Sequence, residues 1–229
     1  MIRHVISAHA KNVLLASYPH SKIKEILDDA WERYDTILPT LSMEHKYSQG
    51  LMRLLRGATF SMALYRALEA AGLPKETSLR HLHDINWFFY EKMLKKTWEM
   101  AGAITRDPFE RLLQAGRLLD PLGFNSEPYK WRLEPIDFEN KIVIRKCLRC
   151  PIAEYYHANG LVEVCIAANC DQDYAQAHVW GADFKRSHTI AHVLSGKDEY
   201  KDKPMECDYT FICRQSGPLP EFTLDDVFG

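Results

Sequence analysis

No stretch of the 229-residue chain approaches the roughly 18 to 20 uninterrupted apolar residues that a membrane-spanning helix needs, so none of it is expected to cross a bilayer. Arg3, His4, His9, Lys11 and Asn12 break up residues 1–16, which therefore lack the continuous apolar segment of a secretory signal. A cytoplasmic location is the expectation. Charge of one sign is missing too: 29 Lys and Arg stand against 31 Asp and Glu, and a net charge of -2 gathers neither polyanions nor anionic lipid. The expected partner is a small-molecule substrate, with no nucleic acid and no membrane, and a homo-oligomer is left open. Cysteine is absent before Cys147, and no internal repeat or low-complexity tract is present.

What is present is an ordinary globular composition, 46% hydrophobic and 26% charged, in a chain long enough to bury a core without staples. The first part reads as helices. Ile23, Ile26, Leu27, Ala30, Trp31 and Tyr34 recur at steps of three and four, with Ser21 as the expected N-cap and an end near Pro39. Leu51, Leu55, Ala58, Met62 and Tyr65 mark a second stripe, closed by Gly72 and Pro74; Leu82, Ile85, Phe89, Met93 and Trp98 mark a third. Asp107, Pro108 and Glu110 read as N-cap, first-turn proline and capping-box acid of a helix that should stop by Pro121.

Residues 123–135 read as a hinge, after which the periodicity changes. Phe138, Ile142 and Ile144 alternate with polar neighbours as in a half-buried strand. Helices are expected over 151–159 and 162–178, ending at Gly160 and near Gly181, and strands over 184–193 and 207–214. The fold class expected is α+β: a helical N-terminal half, residues 1–125, packed on a C-terminal antiparallel sheet with flanking helices, residues 126–229, which carries the site.

In a reducing compartment six cysteines between Cys147 and Cys213 point to catalysis, metal binding or burial rather than disulfides. Cys147 and Cys150 have C-x-x-C spacing and Cys165 and Cys170 follow, which raises a structural zinc site. Against it, the first pair joins a strand to a proline-started helix and the second has five-residue spacing inside a helix. No metal and no cofactor are therefore expected. Cys150 precedes Pro151, which suits the first helical position, so the thiol sits at an N-cap where free N–H groups and the helix dipole favour a thiolate. It is a nucleophile or a small buried apolar residue. Cys170 and Asp173, three apart on a helix, share a face and offer a thiol and a carboxylate to an amidinium, unless they are a core cysteine and a surface acid; Asp171 should face solvent. Arg186, His188 and His192 share one face of the next strand, where Arg186 is a clamp for a substrate carboxylate or a surface ion pair and His188 a general base or a bystander. Cys207, Tyr209, Phe211 and Cys213 form a core-facing row, with Cys207 nearest a cavity.

Taken in order, Arg149-Cys150-Pro151, Glu154-Tyr155-Tyr156, Cys170 with Asp173, Phe184 to Ile190 and Cys207-Asp208-Tyr209-Thr210-Phe211 resemble the L-2-amino-thiazoline-4-carboxylic acid hydrolase family. The resemblance spans residues 149–211. It implies hydrolysis of a thiazoline ring at its amidine carbon to an N-carbamoyl cysteine, hence a hydrolase acting on a cyclic amidine, with Cys150, Cys170 and Asp173 catalytic. It also implies that Arg186, Thr189 and Cys207 bind substrate, and His188, from its place on the same strand, is counted with them, whereas Cys147, Cys165 and Cys213 match nothing recurrent in that family. Residues 194–206, with Lys197, Lys201 and Lys203, are longer than the family's turn before the Cys-Asp pair. Two further readings are a non-catalytic sensor domain of the 4-vinyl-reductase type and an assembly protein using the aromatic helix around residues 79–98 as an interface.

Overall fold

The computed structural model describes residues 2–41, 47–119 and 127–214. Helices α1 (Ile2–Leu14), α2 (His20–Ile37), α3 (Gln49–Ala70), α4 (Lys75–Ile104) and α5 (Pro108–Leu119) precede the first strand. The apolar stripes read from the sequence are the buried faces: Ile23, Ile26, Leu27 and Ala30 on α2, Leu51, Leu55 and Ala58 on α3. Helix starts follow local chemistry with one correction. Ser48 caps α3 by accepting from Leu51 N, and Asp107 Oδ1 accepts from Glu110 N at 2.8 Å. Ser21 caps nothing, because α2 starts one residue earlier behind Pro19, whose carbonyl accepts from Ile23 N at 3.1 Å. Gly72 closes α3 at φ 87°, the left-handed conformation that a C-terminal turn requires.

The sheet has strands β1 (Lys130–Leu133), β2 (Ile142–Arg149), β3 (Ala182–Lys185) and β4 (Cys207–Cys213), in the order β1-β2-β4-β3 and antiparallel throughout. The α+β class holds. Strand β1 lies inside the stretch read as a hinge, whose residues 120–126 are outside the described residues, as is the stop at Pro121. The strand expected around 142–144 is present, but its alternation is out of phase: β2 begins at Ile142, its buried residues are Val143 and Cys147 and not Ile142 and Ile144, and Phe138, 57% exposed, sits in the turn before it. The strand expected over 184–193 ends at Lys185, and a separate helix α9 (Ile190–Leu194) follows. Thr189 and His192 explain that break. Thr189 Oγ1 accepts from His192 N while His192 Nδ1 accepts from Thr189 N, a reciprocal pair that starts a helix where simple alternation read on as strand.

Between β2 and β3 lie α6 (Pro151–Ala158), α7 (Val162–Cys165) and α8 (Gln172–Val179). The single helix expected over 162–178 is interrupted by a π-helical turn, Ile166–Cys170. One wide turn advances the chain by an extra residue and rotates everything after it.

Two apolar clusters make the core. One joins α2, α3 and the first half of α4 through Leu82 and Ile85 to α6 and to Cys147 and Cys207 of the sheet. The other joins Leu94 and Ala101 of α4 and Phe109 and Leu112 of α5 to Trp180, Val143 and Phe211. Helix α4 runs through both, and the sheet's inner face spans the seam between them. No helix among the described residues is long and apolar enough to cross a membrane.

Candidate active site

At that seam lies a cavity of about 120 Å3, a little under the roughly 150 Å3 of an apolar cavity that binds benzene. Four of its walls come from the sulfur-bearing segments: Cys147, Cys150, Cys165 and Cys170 all line it, and so does Asp173.

Cys150 is placed by the junction of β2 and α6. Its extended backbone, φ -124° and ψ 102°, hands over to Pro151 at the first helical position, and its Sγ accepts from Ala153 N at 3.4 Å. This is the N-cap geometry expected from the Cys-Pro pair. The thiol's pKa falls below its ordinary value. Its neighbour Cys147 is the largest cause, the Ala153 N–H and the Tyr129 hydroxyl 4.0 Å away add to it, and burial opposes it. The reciprocal effect holds Cys147 protonated: the sulfurs of Cys150 and Cys207, then burial, push its pKa up, and its Sγ donates to Arg149 O at 3.2 Å. Tyr129 also keeps its proton, held up first by burial and then by Cys150. Deprotonation is therefore easier at Cys150 than at its neighbours Cys147 and Tyr129.

Cys170 and Asp173 face the same cavity across from it, Cys170 from the end of the π turn and Asp173 from the first turn of α8. On Cys170 the Cys165 hydrogen bond pulls the pKa down, but burial together with Cys207 and Asp173 leaves it above the ordinary value. Cys170 thus stays a thiol. Asp173 is raised from 3.8 to about 7, first by burial and also by Asp171, with Arg186 opposing. Its side chain is 23% exposed, which keeps one oxygen available to the cavity.

Arg186 holds this arrangement from behind. It follows β3, is 4% exposed, and donates from Nη1 to Cys170 O and to Asp173 Oδ2 at 3.0 Å, and from Nη2 to Asp171 Oδ1 at 3.1 Å. Tyr174 covers its face, ring centroid 5.1 Å from Cζ. Two sequence expectations change here. Asp171 is 5% exposed and paired instead of solvent-facing, because the π turn rotates it inward. Arg186 is among the cavity's supports and not its lining, its fork directed at two carboxylates and the carbonyl that ends the π turn.

The remaining expected site residues form a shell beyond the cavity. His188, 4% exposed, is held by Ser187 Oγ at 2.7 Å and Pro204 O at 3.0 Å. Thr189 is the cap of α9, and Cys207 Sγ accepts from Ile190 N at 3.2 Å, fixing that helix to β4. Arg186, His188 and His192 do not share a strand face, since the strand ends before all three. His192 is lowered to about 4 by burial first and Arg186 next, so it is a neutral acceptor in its capping box.

Residues not expected at the site complete the cavity, Met93 and Tyr209 having been read only as core positions. Tyr90 and Met93 come from α4; Trp131 from β1; Arg145 from β2; Tyr209 from β4. Arg145 stands between Val143 and Cys147 on the buried side of β2, opposite Tyr209, the side that the expected alternation of Ile142 and Ile144 left to polar residues. Its Cζ lies 4.9 Å above the Trp131 ring, and its charge lowers Asp173. Gln172 is 2% exposed and donates to Ala167 O at 3.0 Å, while its Oε1 has no hydrogen-bond partner among the described residues. Among the described residues no three His, Cys, Asp or Glu side chains come together in a way that could hold a metal ion. The six cysteines are free thiols.

Neither protein-family models, nor curated proteins, nor solved structures yield a match to the chain. The chemistry of the cavity therefore carries the functional argument. A thiol of lowered pKa, a carboxyl raised to about 7, a guanidinium and an aromatic wall suit a small planar ring with an electrophilic carbon between heteroatoms and an anionic substituent.

Proposed function

We propose that the chain is a hydrolase that opens a small cyclic amidine or thiazoline-type heterocycle, of the L-2-amino-thiazoline-4-carboxylate kind, to a carbamoyl product with a cysteine nucleophile. The observation that carries the reading is Cys150: a thiol lowered at a helix N-cap, facing a carboxyl poised near 7 across one cavity. The family resemblance of residues 149–211 points the same way.

Cys150 Sγ attacks the amidine carbon of the protonated ring, forming a C–S bond and a neutral tetrahedral adduct. The ring's bond from that carbon to sulfur, or to nitrogen in an all-nitrogen amidine, then breaks, and the leaving atom takes the proton of Asp173. Water adds to the resulting cationic thioimidate and returns a proton to Asp173. Collapse expels the Cys150 thiolate and leaves an O-protonated carbamoyl compound, which gives that proton to water and is released. Asp173 can play both parts because burial puts it at about 7. Arg186 orients that carboxyl, and Arg145, on the cavity wall, binds the substrate carboxylate, the role that Arg186's own pairing leaves open. Cys170, kept neutral, is a hydrogen-bond donor beside the adduct.

Incubation with a panel of cyclic amidines, thiazolines and lactams, read by mass spectrometry for the gain of one water, tests the reading. Cys150→Ser is expected to lower turnover at least about a thousandfold and to abolish any covalent adduct. Full activity in both Cys150→Ser and Cys170→Ser would rule out covalent catalysis by either. The aromatic walls from Tyr90, Tyr129, Trp131 and Tyr209 support a second reading, a sensor that binds such a ring without changing it. Calorimetric binding with no product in the panel would select it.

A further inference from the structure

A second cavity, about 320 Å3, adjoins the first. Leu112, Leu113, Ile136, Val143, Trp180 and Phe211 wall it, and the polar handle of Trp180 is turned away, its Nε1 donating to Leu94 O at 3.3 Å. Most of its lining side chains are apolar, with Arg117, Arg145 and Gln176 the polar ones, and its volume is about twice that of an apolar cavity that takes benzene. The two hollows are continuous in their lining: Trp131, Arg145 and Gln176 belong to both. Arg145 thus stands at the junction, with the sulfur cluster on one side and the apolar walls on the other.

We infer that the second cavity is a subsite for an apolar, aromatic-sized substituent of the substrate, so that the preferred substrate is a carboxylated heterocycle carrying such a group and not the bare ring. The inference rests on the hydrolase reading for the head group, and on the lining for the tail. The first cavity, about 120 Å3, accommodates a five-membered ring and little more. With the electrophilic carbon toward Cys150 and the carboxylate toward Arg145, the carbons on the carboxylate side of the ring face the junction. A substituent there leaves the small hollow and enters the large one, where burying its apolar surface adds to affinity. Gln176, common to both linings, offers an amide to the polar atoms at the crossing.

Gly116 supplies the probe. It lines the second cavity from α5, and a Cβ built on it meets nothing within 4 Å. Gly116→Phe fills this space without touching the sulfur cluster and raises helix propensity at the position. Calorimetry would compare 2-amino-2-thiazoline-4-carboxylate with two analogues that carry a benzyl group on C4 or on C5. In the wild-type protein at least one analogue should bind about tenfold or more tighter than the bare ring. In Gly116→Phe that advantage should disappear, with bare-ring affinity changed by no more than about twofold. If neither analogue outbinds the bare ring, or if Gly116→Phe weakens bare and benzylated rings equally, the subsite is overturned. The wild-type comparison needs no variant, so it decides even if Gly116→Phe fails to fold. Hydrolysis is followed separately by mass spectrometry: a benzyl preference in binding without turnover of any probe sinks the hydrolytic reading and leaves the subsite standing.

Discussion

Asp173 and Cys150 set opposite pH requirements on the proposed reaction. Turnover needs a thiolate on Cys150, lost toward low pH, and a protonated Asp173, lost as pH rises through about 7. A bell-shaped kcat/KM profile is expected, its alkaline limb falling about tenfold per pH unit above roughly 7. Asp173→Asn should remove that limb and lower the maximum by about 100-fold or more. An unchanged alkaline limb in the variant would assign the limb to another group. Both residues were visible in the sequence, Cys150 through its proline neighbour and Asp173 through its spacing from Cys170. Asp171 was not, because nothing in a helical wheel announces the extra residue of a π turn. Arg145 was not visible either: the alternation of Ile142 and Ile144 assigned it to the polar side, and only the seating of β2 in the core turns Val143, Arg145 and Cys147 inward.

At the scale of elements, local chemistry decides the starts and ends, and only some of it was read. Asp107 and Cys150 cap the helices that their Pro-next-door patterns indicate. The Thr189 cap was hidden by the alternation of residues 184–193. It is the hinge on which Arg186 is delivered, since it turns the chain into α9 just after the guanidinium. Thr189→Ala should cost about 1 kcal/mol and lower the melting temperature by about 3 °C, while Thr189→Ser should stay within a few tenths of a kcal/mol. Thermal unfolding of the two variants checks this, and equal losses would place Thr189's contribution in methyl packing instead of capping. The π turn has a comparable role on the other side of the cavity. It brings Cys170 and Asp173 to one wall and Asp171 to Arg186, which a continuous α-helix could not do together.

For the whole molecule, Arg186 is the tie between the helical segment of the cavity and the sheet side. Its partners Asp171 and Asp173 both have folded pKa values above their ordinary 3.8, so each contributes stability fully at low pH and loses it as pH rises through the folded value, about 7 for Asp173. Removing the guanidinium deepens that dependence. Arg186→Met should lose about 3–5 kcal/mol at pH 8 and less near pH 4, where Asp173 is protonated. Denaturant unfolding at the two pH values measures it; an equal loss at both would mean that packing against Tyr174 outweighs the charges.

The sequence by itself determined the α+β class, the buried stripes of α2 and α3, the capped start of α6 and the placing of Cys150 on it, because these depend on periodicities and caps a few residues long. Tertiary structure alone decided that Cys147 and Cys165 join the cavity, that Arg186 turns to Asp171 and Asp173, and that a second apolar chamber opens beyond Arg145. The reason is physical distance along the chain. Which side chains meet at the seam of two cores depends on strand register and on one extra residue in a helical turn, and both are selected by the packing of segments far apart in sequence.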